Sequence, residues 1–169
     1  MPYKNIVLIG FMGAGKTLVS QKLAQTLGWE RVSTDEMIEE REQHTISDIF
    51  SDSGEPYFRA IEAEVVRDVV MRRGLVIDCG GGVVLNEDNV ATLRRSGTIF
   101  YLKASPEVIY ERVKDDTNRP ILNVANPAAK IAELLAQRHP LYMEADHVIE
   151  VDALSAHEIV QKITALLGE

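Results

Sequence analysis

One eight-residue segment, residues 10–17, constrains the fold of this 169-residue chain more than any other feature of its sequence. It runs Gly-Phe-Met-Gly-Ala-Gly-Lys-Thr and fits the pattern G-x-x-x-x-G-K-[ST], a loop that binds phosphate groups. The apolar residues 5–9 before it predict a buried strand, and residues 17–27 after it have leucines at helical spacing. Strand, loop and helix in this order predict the start of a parallel-sheet domain.

Strand and helix patterns alternate along the rest of the chain. The segments that predict strands are 5–9, 31–34, 75–79, 98–102 and 148–151. The segments that predict helices are 17–27, 55–73, 86–95, 106–113, 127–137 and 156–167. Such alternation is typical of a parallel sheet with helices on both faces. We therefore predict a single domain over residues 1–169, a three-layer α/β/α fold with a five-stranded parallel sheet.

Charge and cysteine content exclude several classes of protein. The 26 acidic residues outnumber the 18 basic ones, for a net charge of -8, whereas nucleic-acid-binding proteins usually have a basic face. No apolar run approaches the roughly 20 residues that span a bilayer, and residues 1–5 lack a signal-peptide pattern. A single cysteine, Cys79, allows no internal disulfide. We expect a cytoplasmic protein with neither nucleic-acid nor membrane partners.

The residue types of the phosphate loop favour a nucleoside triphosphate and Mg²⁺ as ligands. Its glycines let phosphate oxygens approach the backbone N–H groups, and a helix N-terminus follows. Lys16 is expected to reach the terminal phosphates, and the Thr17 hydroxyl to coordinate Mg²⁺. The predicted ATP-binding residues here are Gly13, Ala14, Gly15, Lys16, Thr17 and Leu18. No N-K-x-D-like motif follows residues 98–102, which disfavours a GTPase.

Several charged residues and glycines suggest a small anionic acceptor. Asp35 follows the second predicted strand, and the run Gly80, Gly81 and Gly82 follows the third, at the sheet edge where parallel-sheet proteins bind ligands. Arg59 and Arg138 have the planar guanidinium that suits a carboxylate. Each charged residue also has a purely structural interpretation. Asp35 can cap a helix, Arg59 can pair along its own helix, and Arg138 can cap a helix end.

Taken together, these motifs resemble those of the shikimate kinase family. The resemblance extends from Ile6 to about Ala145, and its specificity lies in the order of the motifs. After the phosphate loop come Asp48-Ile49-Phe50, Gly54-Glu55, Phe58-Arg59-x-x-Glu62, the three glycines, Arg119-Pro120, and Arg138 with Pro140-Leu141-Tyr142. The resemblance implies ATP-dependent phosphorylation of the 3-hydroxyl of shikimate, a step in aromatic amino-acid biosynthesis.

The same resemblance implies residue roles. Asp35 would engage and activate the acceptor hydroxyl, Arg59 and Arg138 would bind its carboxylate, and Gly81 and Gly82 would supply acceptor-site backbone. We expect residues 33–62 to form the acceptor-binding segment.

For the nucleotide side, the resemblance implies two arginines. Arg119 would reach the transferring phosphate from a lid of about residues 113–126, and Arg112 would stack near adenine. The predicted catalytic set is therefore Asp35, Lys16 and Arg119.

The chain departs from the family pattern at three positions. The family usually has Asp-x-Asp after the second strand, with the first carboxylate supporting Mg²⁺ through water, and this chain has Ser33 there. Ser20 and Gln43 stand where glycines are usual. Asp78, at the end of the third strand, is a candidate for the missing charge, and its alternative role is a strand-end residue bonded to backbone. We expect Mg²⁺ on Thr17, with Ser33 or Asp78 holding it through water.

Two alternatives to shikimate phosphorylation remain open from the sequence. The first is a kinase of another small polyhydroxy acid such as gluconate. The second is a nucleotide-binding sensor with weakened turnover, which the uncharged Ser33 would explain. In each case the partners are small molecules, and we expect a monomer.

Overall fold

The computed structural model describes residues 4–116 and 123–168, and these residues form one five-stranded, entirely parallel sheet. The strands are β1 (Asn5–Ile9), β2 (Glu30–Ser33), β3 (Leu75–Asp78), β4 (Gly97–Lys103) and β5 (His147–Glu150). Their order is β2-β3-β1-β4-β5, so the strand that leads into the phosphate loop is central. The predicted fold class is confirmed.

Helices cover both faces of this sheet. They are α1 (Lys16–Leu27), α2 (Thr34–Glu42), α3 (Ile46–Ser53), α4 (Glu55–Val69), α5 (Glu87–Ser96), α6 (Pro106–Val113), α7 (Pro127–Tyr142) and α8 (Ala156–Leu167), with a 3₁₀ turn at Val83–Leu85. Every residue of β1 and β3 is buried, as expected for strands covered on two sides. None of the helices in the described part of the chain is long and apolar enough to cross a membrane.

Two helices, α2 and α3, were not among the predicted elements. Only Thr34 and Ile38 are buried in α2, so its sequence has no apolar stripe to reveal a helix. The α3 helix has eight residues, close to the lower limit for recognising helical spacing. The predicted end of α7 at residue 137 was also wrong, because the helix continues through Pro140 to Tyr142. This longer α7 includes Arg138.

The segment from α2 to α4 has a small hydrophobic cluster of its own. Ile38, Ile49, Phe58 and Val65 are all nearly inaccessible and pack together, apart from the main core around the sheet. Met37 is partly buried against both clusters. The predicted acceptor-binding segment is thus built as a unit beside the carboxyl edge of the sheet.

The departure at Gln43 has a conformational consequence. Gln43 ends α2 with φ 56°, the left-handed conformation in which glycine is favoured, and it is the only described residue besides glycine with positive φ. The usual glycine at this position would adopt the same conformation without steric cost. Gln43 therefore introduces local backbone strain into the connection between α2 and α3.

Replacing Gln43 with glycine is expected to raise the free energy of unfolding by about 0.5–1 kcal/mol, because the left-handed strain is relieved. Thermal or urea unfolding measures this. Gln161→Gly is the matched control, since Gln161 lies inside α8 and the same change there should cost about 1 kcal/mol. Equal destabilisation by both changes would contradict the prediction.

Candidate active site

The phosphate loop lies at the carboxyl edge of the central strand and leads directly into α1. Lys16 is the first residue of that helix and is buried. Its Nζ donates to the carbonyl oxygens of Gly10 and Phe11, at 2.6 and 3.0 Å. The ammonium group is thereby folded over the loop, facing the concave side where phosphate oxygens bind in such loops.

Asp78 lies beside the hydroxyl expected to coordinate Mg²⁺. Thr17 Oγ1 donates to Asp78 Oδ2 at 3.3 Å, and the Arg31 guanidinium donates to the same oxygen at 2.9 Å. Asp78 is buried, so this arginine compensates a carboxylate that burial alone would destabilise. The contacts of the Asp78 carboxylate are with side chains, unlike the backbone role considered as its alternative.

Ser33 caps the helix that follows β2. Its Oγ accepts the Glu36 N–H at 3.2 Å and caps the N-terminus of α2. Asp35 therefore lies within the first turn of α2, and the interpretation of Asp35 as the cap was wrong. The sequence contained a signal for this, because serine followed three residues later by glutamate is typical of a helix start.

Two cavities meet at Asp35. One, of about 490 Å³, is lined by the phosphate loop, Thr17, Asp78 and Arg112. The other, of about 610 Å³, is lined by α2 to α4, the three glycines and Arg138, and we refer to it as the acceptor cavity. Asp35 lines both, so its carboxylate stands where a nucleotide phosphate and an acceptor would meet. A larger cleft, about 1050 Å³ between β5 and α8, contains none of the predicted site residues.

The surroundings of Asp35 favour proton uptake. Burial raises the pKa of its carboxyl above the ordinary value, and Lys16 acts in the opposite direction. The negative charges of Asp78 and Glu39 raise this pKa further, and Arg59 lowers it. A carboxylate with a raised pKa is a better base for a hydroxyl proton than an exposed one.

Arg59 is held by two glutamates of its own helix, as one of the structural interpretations predicted. Its Nη1 donates to Glu62 Oε1 at 2.9 Å, and its Nε donates to Glu55 Oε1 at 3.4 Å. Glu62 is almost inaccessible, and its Oε2 is the only buried side-chain oxygen or nitrogen in the described structure without a hydrogen-bond partner. Glu62 was not predicted as a site residue, although its spacing from Arg59 indicated the pair. It orients the guanidinium within the acceptor cavity.

The three glycines allow charged side chains to lie against the backbone. A Cβ at Gly82 would lie 2.6 Å from Cζ of Arg59, and one at Gly80 would overlap the Asp35 carboxylate. The Gly80 N–H donates to Thr34 Oγ1 at 3.0 Å, so this donor is already used within the protein. Gly80 therefore contributes space to the site.

Arg138 of α7 lines the acceptor cavity, and Tyr142 is buried one turn further along the same helix. The Arg138 guanidinium lies 5.5 Å from the ring centre of Phe11, a cation–π arrangement with a residue of the phosphate loop. The Tyr142 hydroxyl donates to the Gly81 carbonyl oxygen. Burial raises the pKa of this phenol, and the positive charge of Arg138 lowers it. Tyr142 thus connects the end of α7, the helix that contains Arg138, to the glycine run, a role that its place in the motif did not indicate.

The two arginines predicted for the nucleotide side have different outcomes. Arg112 Nη1 donates to the Gly13 carbonyl oxygen at 3.0 Å, so its guanidinium lies against the phosphate loop. Arg119 lies outside the described residues, as does the central part of the predicted lid. Leu18 is half exposed at the start of α1 and lines the smaller cavity.

Comparison with known proteins shows which family this chain is similar to in sequence and in fold. Residues 12–167 match the family model described as shikimate kinase. A shikimate kinase of Thermodesulfovibrio yellowstonii is 49% identical over 160 residues, 95% of this chain and 92% of that protein. The solved structure of shikimate kinase from Acinetobacter baumannii in complex with shikimate has TM-score 0.94 and 40% identity, covering 98% and 93% of the two chains. Shikimate kinase from Bacteroides thetaiotaomicron has TM-score 0.90 and 30% identity, covering 98% and 99%.

Glu62→Gln is expected to change how stability depends on pH. Burial raises the pKa of the Glu62 carboxyl above 4.5, and the charge of Arg59 offsets this only in part. The folded state therefore holds this proton more tightly than the unfolded state, so the wild type loses stability as pH rises from about 4.5 through the raised value. The glutamine side chain of the variant does not titrate. The free energy of unfolding of the variant minus that of the wild type should therefore increase over this range of pH and then level off.

Chemical unfolding between pH 4 and 8, without ligands, measures this difference. Glu64→Gln is the matched control, because it removes an exposed carboxylate from the same helix. A difference curve for Glu62→Gln that is flat across this range would contradict the prediction.

Proposed function

Because the chain belongs to the shikimate kinase family, we propose that it transfers the γ-phosphoryl group of ATP to the 3-hydroxyl of shikimate, forming shikimate 3-phosphate and ADP. The observation that best supports this is the position of Asp35 between the phosphate-loop cavity and the cavity containing Arg59 and Arg138. One carboxylate there can contact an acceptor hydroxyl while the two arginines hold a carboxylate of the same small molecule.

On the nucleotide side, the loop backbone and Lys16 bind the phosphates of ATP. The Lys16 ammonium already lies on the loop carbonyls, so a short side-chain movement brings it to the terminal phosphates. Arg112 contributes positive charge beside Gly13. Arg119 remains the predicted cation for the transferring group, with closure of residues 113–126 excluding water.

The donor set next to Lys16 fits Mg²⁺. Mg²⁺ prefers oxygen ligands and keeps several waters, and Thr17 offers a hydroxyl with the Asp78 carboxylate 3.3 Å away. Thr17 would hold the ion directly, and Asp78 would hold one of its waters. When bound, the ion neutralises charge on the phosphates. Ser33 is less suitable, because its oxygen caps α2.

On the acceptor side, Arg59 and Arg138 bind the carboxylate of shikimate and fix the ring. Glu62 holds Arg59 in place, and Arg138 lies against the ring of Phe11. Asp35 orients the 3-hydroxyl and accepts its proton as the oxygen attacks the γ-phosphorus. Most of the rate enhancement then comes from positioning and from charge stabilisation around the phosphoryl group. The proposal also includes a monomeric protein in the cytoplasm. Size-exclusion chromatography with light scattering measures the oligomeric state.

Asp35→Asn is expected to lower kcat for shikimate by roughly 10²- to 10⁴-fold, the usual contribution of a positioned general base. Affinity for ATP should change by less than about threefold, because the loop and Lys16 are intact. A coupled ADP assay with purified protein measures kcat, and calorimetry measures ATP binding.

The same assay separates the alternatives. Shikimate should outperform gluconate in kcat/KM, and the reverse order would refute shikimate as the substrate. Binding of ATP and shikimate by the wild type without any shikimate 3-phosphate would identify a sensor and not an enzyme.

Gly82→Ala is expected to weaken shikimate binding without unfolding the protein. The new methyl overlaps the Arg59 guanidinium, which is the end of a flexible side chain and can move away. Losing one charged hydrogen bond should raise the KM for shikimate by roughly 10- to 100-fold, with little change in KM for ATP. Gly168→Ala is the control, since its methyl meets only ordinary contacts at 3.6 Å or more. An unchanged KM for shikimate would contradict the role of Arg59.

A further inference from the structure

One departure from the family pattern, Ser20, and the candidate charge at Asp78 are connected by one residue, Arg31. Arg31 Nε donates to Ser20 Oγ at 2.7 Å, and Nη2 donates to Asp78 Oδ2 at 2.9 Å. Ser20 is fully buried, and the Arg31 side chain is 15% exposed. A glycine at position 20 would have no oxygen to hold this guanidinium. Ser33, a second departure, lies two residues after Arg31 in the same strand.

Strand pairing explains how Asp78 can replace a carboxylate at position 33. Ser33 and Asp78 are direct partners in the parallel pairing of β2 with β3. Neighbouring strands lie about 4.8 Å apart. A carboxylate at position 78 is therefore displaced by one strand from a carboxylate at position 33, and both lie at the same distance along their strands. Since β3 lies between β2 and β1, the shift moves the charge towards the phosphate loop, where Asp78 contacts Thr17.

Arg31 stabilises the buried carboxylate of Asp78. An isolated buried charge is strongly unfavourable, and a two-pronged guanidinium both compensates it and fixes its orientation. Ser20 holds one side of the guanidinium and Glu36, at 3.3 Å from Nη1, lies on its outer side. With the guanidinium fixed at two points, Asp78 Oδ2 remains directed at the Thr17 hydroxyl.

We propose that Arg31, anchored by Ser20, is a positioning residue that holds Asp78 as the metal-supporting carboxylate, in place of the carboxylate that the family pattern has at position 33. This inference rests on the proposed function only in requiring that Mg²⁺ and a nucleotide bind at the loop. It requires no particular acceptor. Arg31 acts through Asp78 and does not itself contact substrate.

The test is the affinity of the protein–ADP complex for Mn²⁺, followed by electron paramagnetic resonance. Asp78→Asn and Arg31→Met should each raise the dissociation constant of Mn²⁺ by about tenfold or more, the usual effect of losing an outer-sphere partner. Ser20→Ala should have a smaller effect in the same direction. Arg72→Met is the matched control, because it removes an exposed ion pair with Glu30 on the neighbouring part of the sheet. It should leave the Mn²⁺ affinity unchanged.

A double variant distinguishes positioning from a direct effect. If Arg31 acts through Asp78, Arg31→Met adds no more than about twofold once Asp78→Asn is present. An equal loss in both backgrounds would mean that Arg31 contacts the phosphates directly, and this overturns the proposal. Unchanged or tighter Mn²⁺ binding by Arg31→Met overturns it too, since the arginine would then be structural or would compete with the metal. Thermal unfolding of each variant confirms that it is folded, and Ser20→Ala replaces Arg31→Met if the latter is not.

Moving the carboxylate back tests the strand shift itself. Ser33→Asp in the Asp78→Asn background should recover Mn²⁺ affinity to within about threefold of the wild type, since aspartate also caps a helix well. If the affinity for Mn²⁺ does not recover, the proposal that Asp78 takes the place of a carboxylate at position 33 is overturned. Failure of the proposed function is distinguishable, because it appears as absent shikimate phosphorylation with the Mn²⁺ effects intact.

Discussion

Parallel pairing of β1 with β3 on one side and β4 on the other is the constraint on which the site depends. The register of Leu8 with Asp78 brings the end of β3 level with the start of the phosphate loop, and the Cys79 N–H extends the ladder to the Leu8 carbonyl oxygen at 3.1 Å. The glycine run after β3 therefore begins next to the loop. Asp35 and Asp78 reach that same edge because β2 pairs with β3. A shift of one residue in the pairing of β3 with β1 would turn the Asp78 carboxylate to the other face of the sheet.

The net charge of -8 is compatible with anionic ligands because charge is organised locally. Three buried or half-buried carboxylates each have a cation nearby, in the pairs Asp35 with Lys16, Glu62 with Arg59, and Asp78 with Arg31. Burial without these cations would favour the protonated acids and disfavour folding at neutral pH. The same cations border the two cavities. An acidic surface and a site for negative groups thus coexist within one small domain, because the field in the pocket is set by its nearest charges.

The sequence predicted the sheet and most helices because buried strands and amphipathic helices have clear periodicities, and it predicted Asp35, Arg59 and Arg138 because their motifs occur in a specific order. It did not predict α2, whose residues are mostly polar, although Ser33 with glutamate three residues later was a usable signal. The contact of Arg31 with Asp78 could not be predicted. It depends on the register of two strands separated by more than 40 residues, and neither residue identifies its partner.

The separate hydrophobic cluster of α2 to α4 has a consequence for how such a domain can change over generations. Ile38, Ile49, Phe58 and Val65 stabilise the acceptor wall without help from most of the main core. Substitutions that reshape this wall are therefore largely uncoupled from the residues that support the phosphate loop. Selection can therefore change acceptor preference through this segment while the residues that bind the nucleotide stay the same. A segment of about thirty residues thus behaves as a separate packing unit, although it is much smaller than a typical domain.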